Sequence, residues 1–313
     1  MREEIVYSID MPYRDPDAIK GFVFGEGKHS LAIVGSTRGN EVQQTYIASQ
    51  LVRRLRKLES QGRIAPGHEI LVIPSINKIS MNTGRRFWPI DNTDINRMFP
   101  GYDKGETTQR IAAGVFEAVQ GYEYGIQFTS FYRQGDFLPH VRYMDVVGGD
   151  GADGDLFGLS YVVTYKAEPF DTTTLNYNWR LWDTDAYSVY TSSTDTVDEE
   201  SAREAVRACL RFMNAKGLID YPCHPGYVPA HVYEGDLVCA HTQHAGIFRR
   251  LVRPGDTVSR NGLLAEIVSP MTGEVVEEIR APEGGVVFFT CSKALVNEHT
   301  LAFSLITRDM AAN

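Results

Sequence analysis

Short apolar runs alternate with amphipathic helical stretches up to about residue 215, and this alternation is the strongest restriction on how the chain folds. His29-Ser30-Leu31-Ala32-Ile33-Val34 ends at Gly35, as a buried strand does when it feeds a loop. From Glu41 to Glu59, Val42, Tyr46, Leu51, Leu55 and Leu58 recur at three- to five-residue spacing with Gly62 just beyond, which predicts a helix with one apolar face. Glu69 to Pro74 reads as a second buried strand, and Thr107 to Val119 as a second helix. Tyr124 to Phe128 and Tyr161 to Thr164 read as further strands, and 198–216 as a last helix with Asp198 at its N-cap. Strands alternating with helices give an α/β layered domain, whose ligands bind beyond the strand ends.

After Gly217 the texture changes. The cluster Tyr221-Pro222-Cys223-His224-Pro225-Gly226 leads into short alternating runs punctuated by Pro and Gly every eight to twelve residues, the pattern of a small all-β sandwich or barrel. Two domains follow, 1–220 and 221–313. A length of 313 residues with 43% hydrophobic content suits one large core and one small one.

The charge balance excludes some functions. With 31 Lys plus Arg against 40 Asp plus Glu, the net charge is −9, a poor match to a nucleic-acid footprint. The basic cluster Arg53, Arg54, Arg56 and Lys57 lies on one helix and reads as a solvated face. No apolar run approaches the roughly 20 residues that span a bilayer, and Met1-Arg2-Glu3-Glu4 opens no signal-peptide core, so the expectation is a soluble cytoplasmic protein with no membrane partner. Four scattered cysteines form no disulfide framework and no CxxC pair.

Two segments carry chemistry. In Gly35-Ser36-Thr37-Arg38-Gly39-Asn40-Glu41, Glu41 sits where a strand meets a helix and reads either as a metal ligand or as an acid that satisfies the helix N-terminus. The segment 84–101 contains Arg85, Arg86 and Arg97 among Asn, Asp and turn residues. It reads either as a loop that offers guanidinium forks to a carboxylate or as a surface loop pinned by Phe87 and Trp88.

Together, Arg-Gly-Asn-Glu after a buried strand and the run Arg86-Phe87-Trp88-Pro89-Ile90-Asp91-Asn92-Thr93-Asp94-Ile95-Asn96-Arg97-Met98-Phe99-Pro100-Gly101 resemble the succinylglutamate desuccinylase/aspartoacylase family, a branch of the zinc carboxypeptidase-like hydrolases. Gly246-Ile247-Phe248, Pro254-Gly255-Asp256 and Ala281-Pro282-Glu283-Gly284-Gly285 resemble its C-terminal β domain, which is similar to biotinyl and lipoyl carrier folds; no modifiable lysine turn is present here. The resemblance implies a carboxypeptidase-like mixed sheet flanked by helices. It also implies one zinc held by a His and a Glu of a His-Gly-Asn/Asp-Glu loop and by a second His at a strand end, with a later Glu as general base.

Matched residue by residue, only Glu41 keeps its ligand identity. Arg38 stands in place of the first His, Thr129 in place of the second (Phe128 is the alternative match), and Tyr190 in place of the base. Arg86, Asn96 and Arg97 match the positions that bind the substrate carboxylate and polarise its carbonyl. The ligand-binding set is therefore Arg38, Arg86, Asn96, Arg97, Thr129 and Tyr190, with Glu41 and Arg86 as the catalytic candidates. A guanidinium has no lone pair to donate, so Arg38 cannot ligate a metal, and no cofactor is expected. Zinc would require a site rebuilt from His140 or from Cys239, His241 and His244. Asp145 to Asp155 lacks the closing Glu of a calcium loop.

The leading expectation is a pseudoenzyme that binds a small carboxylate-bearing molecule, such as an N-acyl amino acid, on a zinc-deacylase scaffold. The alternative is an active amide or ester hydrolase with a rebuilt metal site or a metal-free mechanism in which Glu41 is the base and Arg38 stabilises the oxyanion. A homo-oligomer is compatible with either. Both require Arg38, Glu41, Thr129 and Arg97 to meet at one pocket.

Overall fold

A computed structural model describes residues 1–130, 134–148 and 151–307. The chain begins with strands β1 (Arg2–Met11), β2 (Arg14–Gly25) and β3 (Gly27–Ser36), followed by helix α1 (Val42–Ser60), strand β4 (Gly67–Ser75) and the single turn α2 (Lys78–Asn82). Helix α3 (Thr107–Val119) precedes β5 (Tyr124–Phe128), β6 (Gly135–Phe137), β7 (His140–Asp145) and β8 (Tyr161–Lys166). Helix α4 (Leu175–Leu181), β9 (Asp185–Tyr190), α5 (Glu199–Ala215) and β10 (Ala230–Tyr233) complete the first unit.

Nine of these strands form one mixed sheet in the order β1-β2-β4-β3-β5-β9-β7-β8-β10. Its centre, β4-β3-β5-β9, is parallel, so the loops after β3, β5 and β9 emerge at one end. Because successive residues of a strand face opposite sides, both faces must be covered. Leu31, Ile33, Val72 and Ile126 pack under α1 and α5 on one face, while Ala32, Val34, Leu71 and Ile73 pack with residues of α3 and α4 on the other. In α1 the inward stripe is Ile47, Ala48, Leu51, Val52, Leu55 and Leu58. Val42 and Tyr46, expected on that stripe, lie at its margin: Val42 is exposed, and the Tyr46 hydroxyl donates to Glu199 at 2.6 Å.

The rest of the chain folds as two antiparallel sheets. One contains β11 (Val238–His241), β13 (Thr257–Val258), β16 (Gly285–Cys291) and β18 (Leu301–Thr307). The other contains β12 (Gly246–Arg250), β14 (Leu263–Val268), β15 (Val275–Arg280) and β17 (Leu295–Val296). Leu264, Ile267, Val287, Phe303 and Leu305 form the core between them.

The sheets do not part at residue 220. Strand β10 lies beyond it yet joins the large sheet beside β8, while β6, from the first unit, pairs with β16 of the second. Backbone pairing across the boundary satisfies edges that would otherwise be open, and a shared cluster of Phe137, Val163, Tyr190, Val232, Phe288, Phe289 and Ile306 fills the junction.

His140 is enclosed in this junction. Its Nδ1 is 2.7 Å from the Leu138 carbonyl oxygen, and its ring stacks on Tyr190 at 4.9 Å with Phe288 at 4.7 Å. Burial, followed by the charge of Arg142, pushes its pKa down to about 3. The unfolded chain therefore takes up a proton near pH 6.5 that the folded chain refuses until about pH 3, so the stability present above pH 6.5 is lost progressively as pH falls through that window. Urea denaturation at pH 7 and pH 4.5 checks this: His140→Gln is expected to lose less stability between the two than the parent chain, and equal losses would show that His140 is not a source of acid sensitivity.

Candidate ligand site

A cavity of about 800 Å³ opens against the α3/α4 face of the sheet. Directly paired residues share a face, and Gln127 of β5, Ser188 of β9 and Arg142 of β7 form one row across three strands. Met144 and Tyr165 pair in a neighbouring position, and all five line the cavity. Arg38 after β3, Thr129 and Ser130 after β5, Asn96 and Arg97 of the 84–101 segment, and Asn176 of α4 complete the inner wall. Lys166, Glu168, Asp171, Tyr233 and Glu234 stand farther along the chain on its border.

The β3–α1 loop is held backbone to backbone. Gly39 N–H donates to the Arg86 carbonyl at 2.9 Å, and a Cβ at residue 39 would sit 2.2 Å from the Arg85 carbonyl oxygen, so only glycine allows this approach. Trp88 is buried and anchors the same segment, whereas Phe87 is only partly covered.

This contact delivers Arg38 to Asp94. Although 2% exposed, Arg38 donates from Nε and Nη2 to Asp94 at 2.9–3.1 Å and from Nη1 to Glu41 Oε1 at 3.2 Å and the Ser130 carbonyl at 3.3 Å. Burial works against the guanidinium, but the charges of Glu41 and then Asp94 outweigh it and hold its pKa above the ordinary arginine value.

Glu41 is fully buried and makes no capping bond to α1. Its Oε2 accepts from the N–H groups of Thr37 (2.8 Å) and Arg38 (2.9 Å) and from Thr37 Oγ1. Its Oε1 accepts from Arg38 Nη1 and from Ser130 N (3.3 Å) and Oγ (2.5 Å). A carboxylate offers about four lone-pair directions. With six donors around it and Arg38 in front, Glu41 has no oxygen left for a base role, and it does not line the cavity.

Other expected residues divide. Arg38, Asn96, Arg97, Thr129 and Tyr190, five of the six ligand-binding candidates, line this cavity. Arg86 does not: its side chain donates to Asn40 Oδ1 at 3.3 Å and lies over Phe87, because its backbone is committed to Gly39. Arg97 pairs with Asp171 at 3.4 Å, and Arg142 with Glu234, so both guanidinium planes are fixed. Burial opposes the Arg142 guanidinium, and the charge of the Glu234 carboxylate outweighs it, keeping it a cation.

Sequence reasoning missed Asp94 as the partner of Arg38, and it missed Gln127, Arg142 and Ser188. The usable signal was a polar side chain inside an otherwise apolar strand, as in Tyr124-Gly125-Ile126-Gln127-Phe128. Phe131, two residues beyond Thr129, and Gly149 and Asp150, within the 145–155 segment, lie outside the described residues.

The zinc that the family implies does not fit these side chains. Arg38 is a permanent cation that repels a dication, and no group of three His, Cys, Asp or Glu that could hold a metal occurs among the described residues. His140 is sealed in the junction, and His244 faces Glu277 in the C-terminal module, so neither rebuilds the site.

The fold is a mixed sheet flanked by helices with a β module, and the site is a polar cavity at the ends of its parallel strands. Residues 28–143 match the model of the succinylglutamate desuccinylase/aspartoacylase catalytic domain. The chain is 34% identical over 285 residues to N-alpha-acetyl-L-2,4-diaminobutyric acid deacetylase of Halomonas elongata, covering 87% of this chain and 80% of that one. It also superposes on a succinylglutamate desuccinylase from Silicibacter sp. TM1040 with a TM-score of 0.81 at 19% identity, over 97% of this chain and 94% of that one. The product-bound ectoine utilization protein EutE (DoeB) from Ruegeria pomeroyi gives 0.82 at 18% identity, over 98% and 94%. The chain belongs to the succinylglutamate desuccinylase/aspartoacylase family.

Removing one partner of a buried charge cluster leaves the others uncompensated, at a cost of about 3–5 kcal/mol. Arg38→Met is expected to destabilise the chain by that amount in urea denaturation at pH 7, and adding Glu41→Gln should recover part of it. A neutral Arg38→Met would show that the cluster is not tightly held.

Proposed function

We propose that the chain binds a small N-acylated amino acid in this cavity and that the metal-dependent hydrolysis of its relatives has been replaced by recognition alone. The carrying observation is the Arg38 guanidinium, locked between Glu41 and Asp94 at the position that matches the family's first zinc ligand. Arg97 and Lys166 on the wall suit a ligand carboxylate, since guanidinium groups bind carboxylates through paired N–H donors. Glu168, Asp171 and Glu234 suit an ammonium group. A wall of both signs supports a zwitterionic ligand, and the name of the Halomonas relative makes Nα-acetyl-L-2,4-diaminobutyrate the first compound to test.

A second reading, hydrolysis of such an amide, is supported by that relative's named activity over most of the chain. It is not supported by Glu41, whose oxygens are occupied. Elemental analysis and an acetate-release assay on a panel of N-acetyl amino acids separate the two. Binding without stoichiometric zinc and without turnover is expected, whereas zinc at one per chain, or acetate release abolished by a chelator, would establish the hydrolase.

The paired substitution Arg38→His with Thr129→His supplies two imidazoles beside Glu41. It is expected to confer zinc uptake that the parent chain lacks; equal zinc content in both would show that Arg38 and Thr129 are not at the former metal position.

A further inference from the structure

Helices α1 and α5 lie side by side on the sheet face opposite the cavity, joined at their starts by Gln43, whose Nε2 donates to the Asp198 carbonyl at 3.0 Å and to Ser201 Oγ at 3.1 Å. Farther along, the two helices part to leave a hollow of about 320 Å³. Tyr46, Arg53, Arg54 and Lys57 border it from one stripe of α1. Glu199, Arg203 and Val206 face them from α5, with the buried Ala202 at the floor. The Tyr46 hydroxyl donates to Glu199 across the gap at 2.6 Å. That bond raises the pKa of the phenol, and the charges of Arg53 and Arg203 both oppose the rise, so the cations of the two helices act at one point.

The helices treat their cations differently. On α5 each arginine has a glutamate of its own helix: Arg203 is 3.6 Å from Glu199, Arg207 is 3.7 Å from Glu204, and Arg211 is 2.7 Å from Glu204. On α1, Arg53, Arg54 and Lys57 are exposed and make no ion pair or hydrogen bond among the described residues. The one acid of that helix, Glu59, is turned to the Met1 amino group and the Gly25 N–H. Along α1 these cations neighbour one another instead, with Arg53 four residues before Lys57 and Arg54 three before it, spacings at which like charges destabilise a helix. A solvated face accounts for exposed cations. It does not account for their meeting a cation of a second helix over one hollow, in a chain whose net charge is −9. A local conflict with no compensation inside the protein is the signature of a functional surface.

We propose that the α1/α5 groove binds a diphosphate group, free or carried by a nucleoside, at a site separate from the ligand cavity. Arg53, Arg54, Lys57 and Arg203 against the single carboxylate of Glu199 leave a surplus of about three positive charges. One phosphate supplies at most about two negative charges at neutral pH, and a second phosphate brings the total to about three. Guanidinium forks take phosphate oxygens through paired N–H donors, and Lys57 adds a point charge. The volume falls at the lower end of the roughly 300–1,000 Å³ usual for small-molecule sites. None of this depends on what the cavity binds.

Calorimetric titration of the full chain with pyrophosphate, ADP, inorganic phosphate and AMP, at low ionic strength and without divalent cations, tests the site. Pyrophosphate or ADP is expected to bind at one per chain, at least about tenfold more tightly than inorganic phosphate or AMP. Tighter binding of ADP than of pyrophosphate assigns the nucleoside-borne group, and equal or weaker binding the free anion. Arg54→Gln, at an exposed position with no bond inside the chain to lose, is expected to lower the affinity about tenfold, as the loss of one charge-assisted hydrogen bond does. Lys104→Gln, at an exposed lysine outside the groove, leaves the affinity unchanged. No heat with either diphosphate, or inorganic phosphate bound as tightly as pyrophosphate, would overturn the proposal. So would an affinity that survives Arg54→Gln and is lost in Arg97→Met, which would place the anion in the cavity.

Discussion

The guanidinium of Arg38, buried between two carboxylates, is the interaction on which the site depends. A lone buried charge is prohibitively costly, and a pair only breaks even if nearly every donor and acceptor is satisfied. Here Arg38 uses Nε, Nη1 and Nη2 on Asp94, Glu41 and the Ser130 carbonyl, and Glu41 is closed by the N–H groups of Thr37, Arg38 and Ser130. The cluster ties three chain segments together: the loop after β3, the 84–101 segment and the end of β5. It places a fixed positive charge on the wall of the cavity.

The larger architecture serves the same end. Parallel pairing of β3, β5 and β9 brings their exits together, and the row Gln127, Ser188 and Arg142 makes the sheet itself the cavity wall. The β module is bound to this wall through β6, β10 and the aromatic junction, so Tyr190 and Arg142 are held partly by residues that follow the first unit in sequence. No helix among the described residues is long and apolar enough to cross a membrane.

What the sequence disclosed was what local physics determines. Helix α3 and strand β5 begin and end at the residues expected, since an apolar stripe between capping residues and a short apolar run between polar ends are complete signals in themselves. The α4 helix carries little signal of its own because Asn176 and Asn178 lower its intrinsic propensity, and contacts through Asn176, Asn178 and Trp179 stabilise it. The β10 pairing and the Arg38–Asp94 bond, whose partners are 56 positions apart, are non-local and leave no spacing to read. Of the residues that family resemblance named, Arg38, Asn96, Arg97, Thr129 and Tyr190 line the cavity. Arg86 does not, and its bond to Asn40 is one that no motif reveals.

Recognition carried by protein side chains, with Arg38 as the fixed cation, needs no metal. Calorimetric titration of Nα-acetyl-L-2,4-diaminobutyrate into the protein, with and without excess chelator, measures this directly. One binding isotherm with the same affinity in both conditions is expected. Binding that disappears in chelator and returns with added zinc would contradict it.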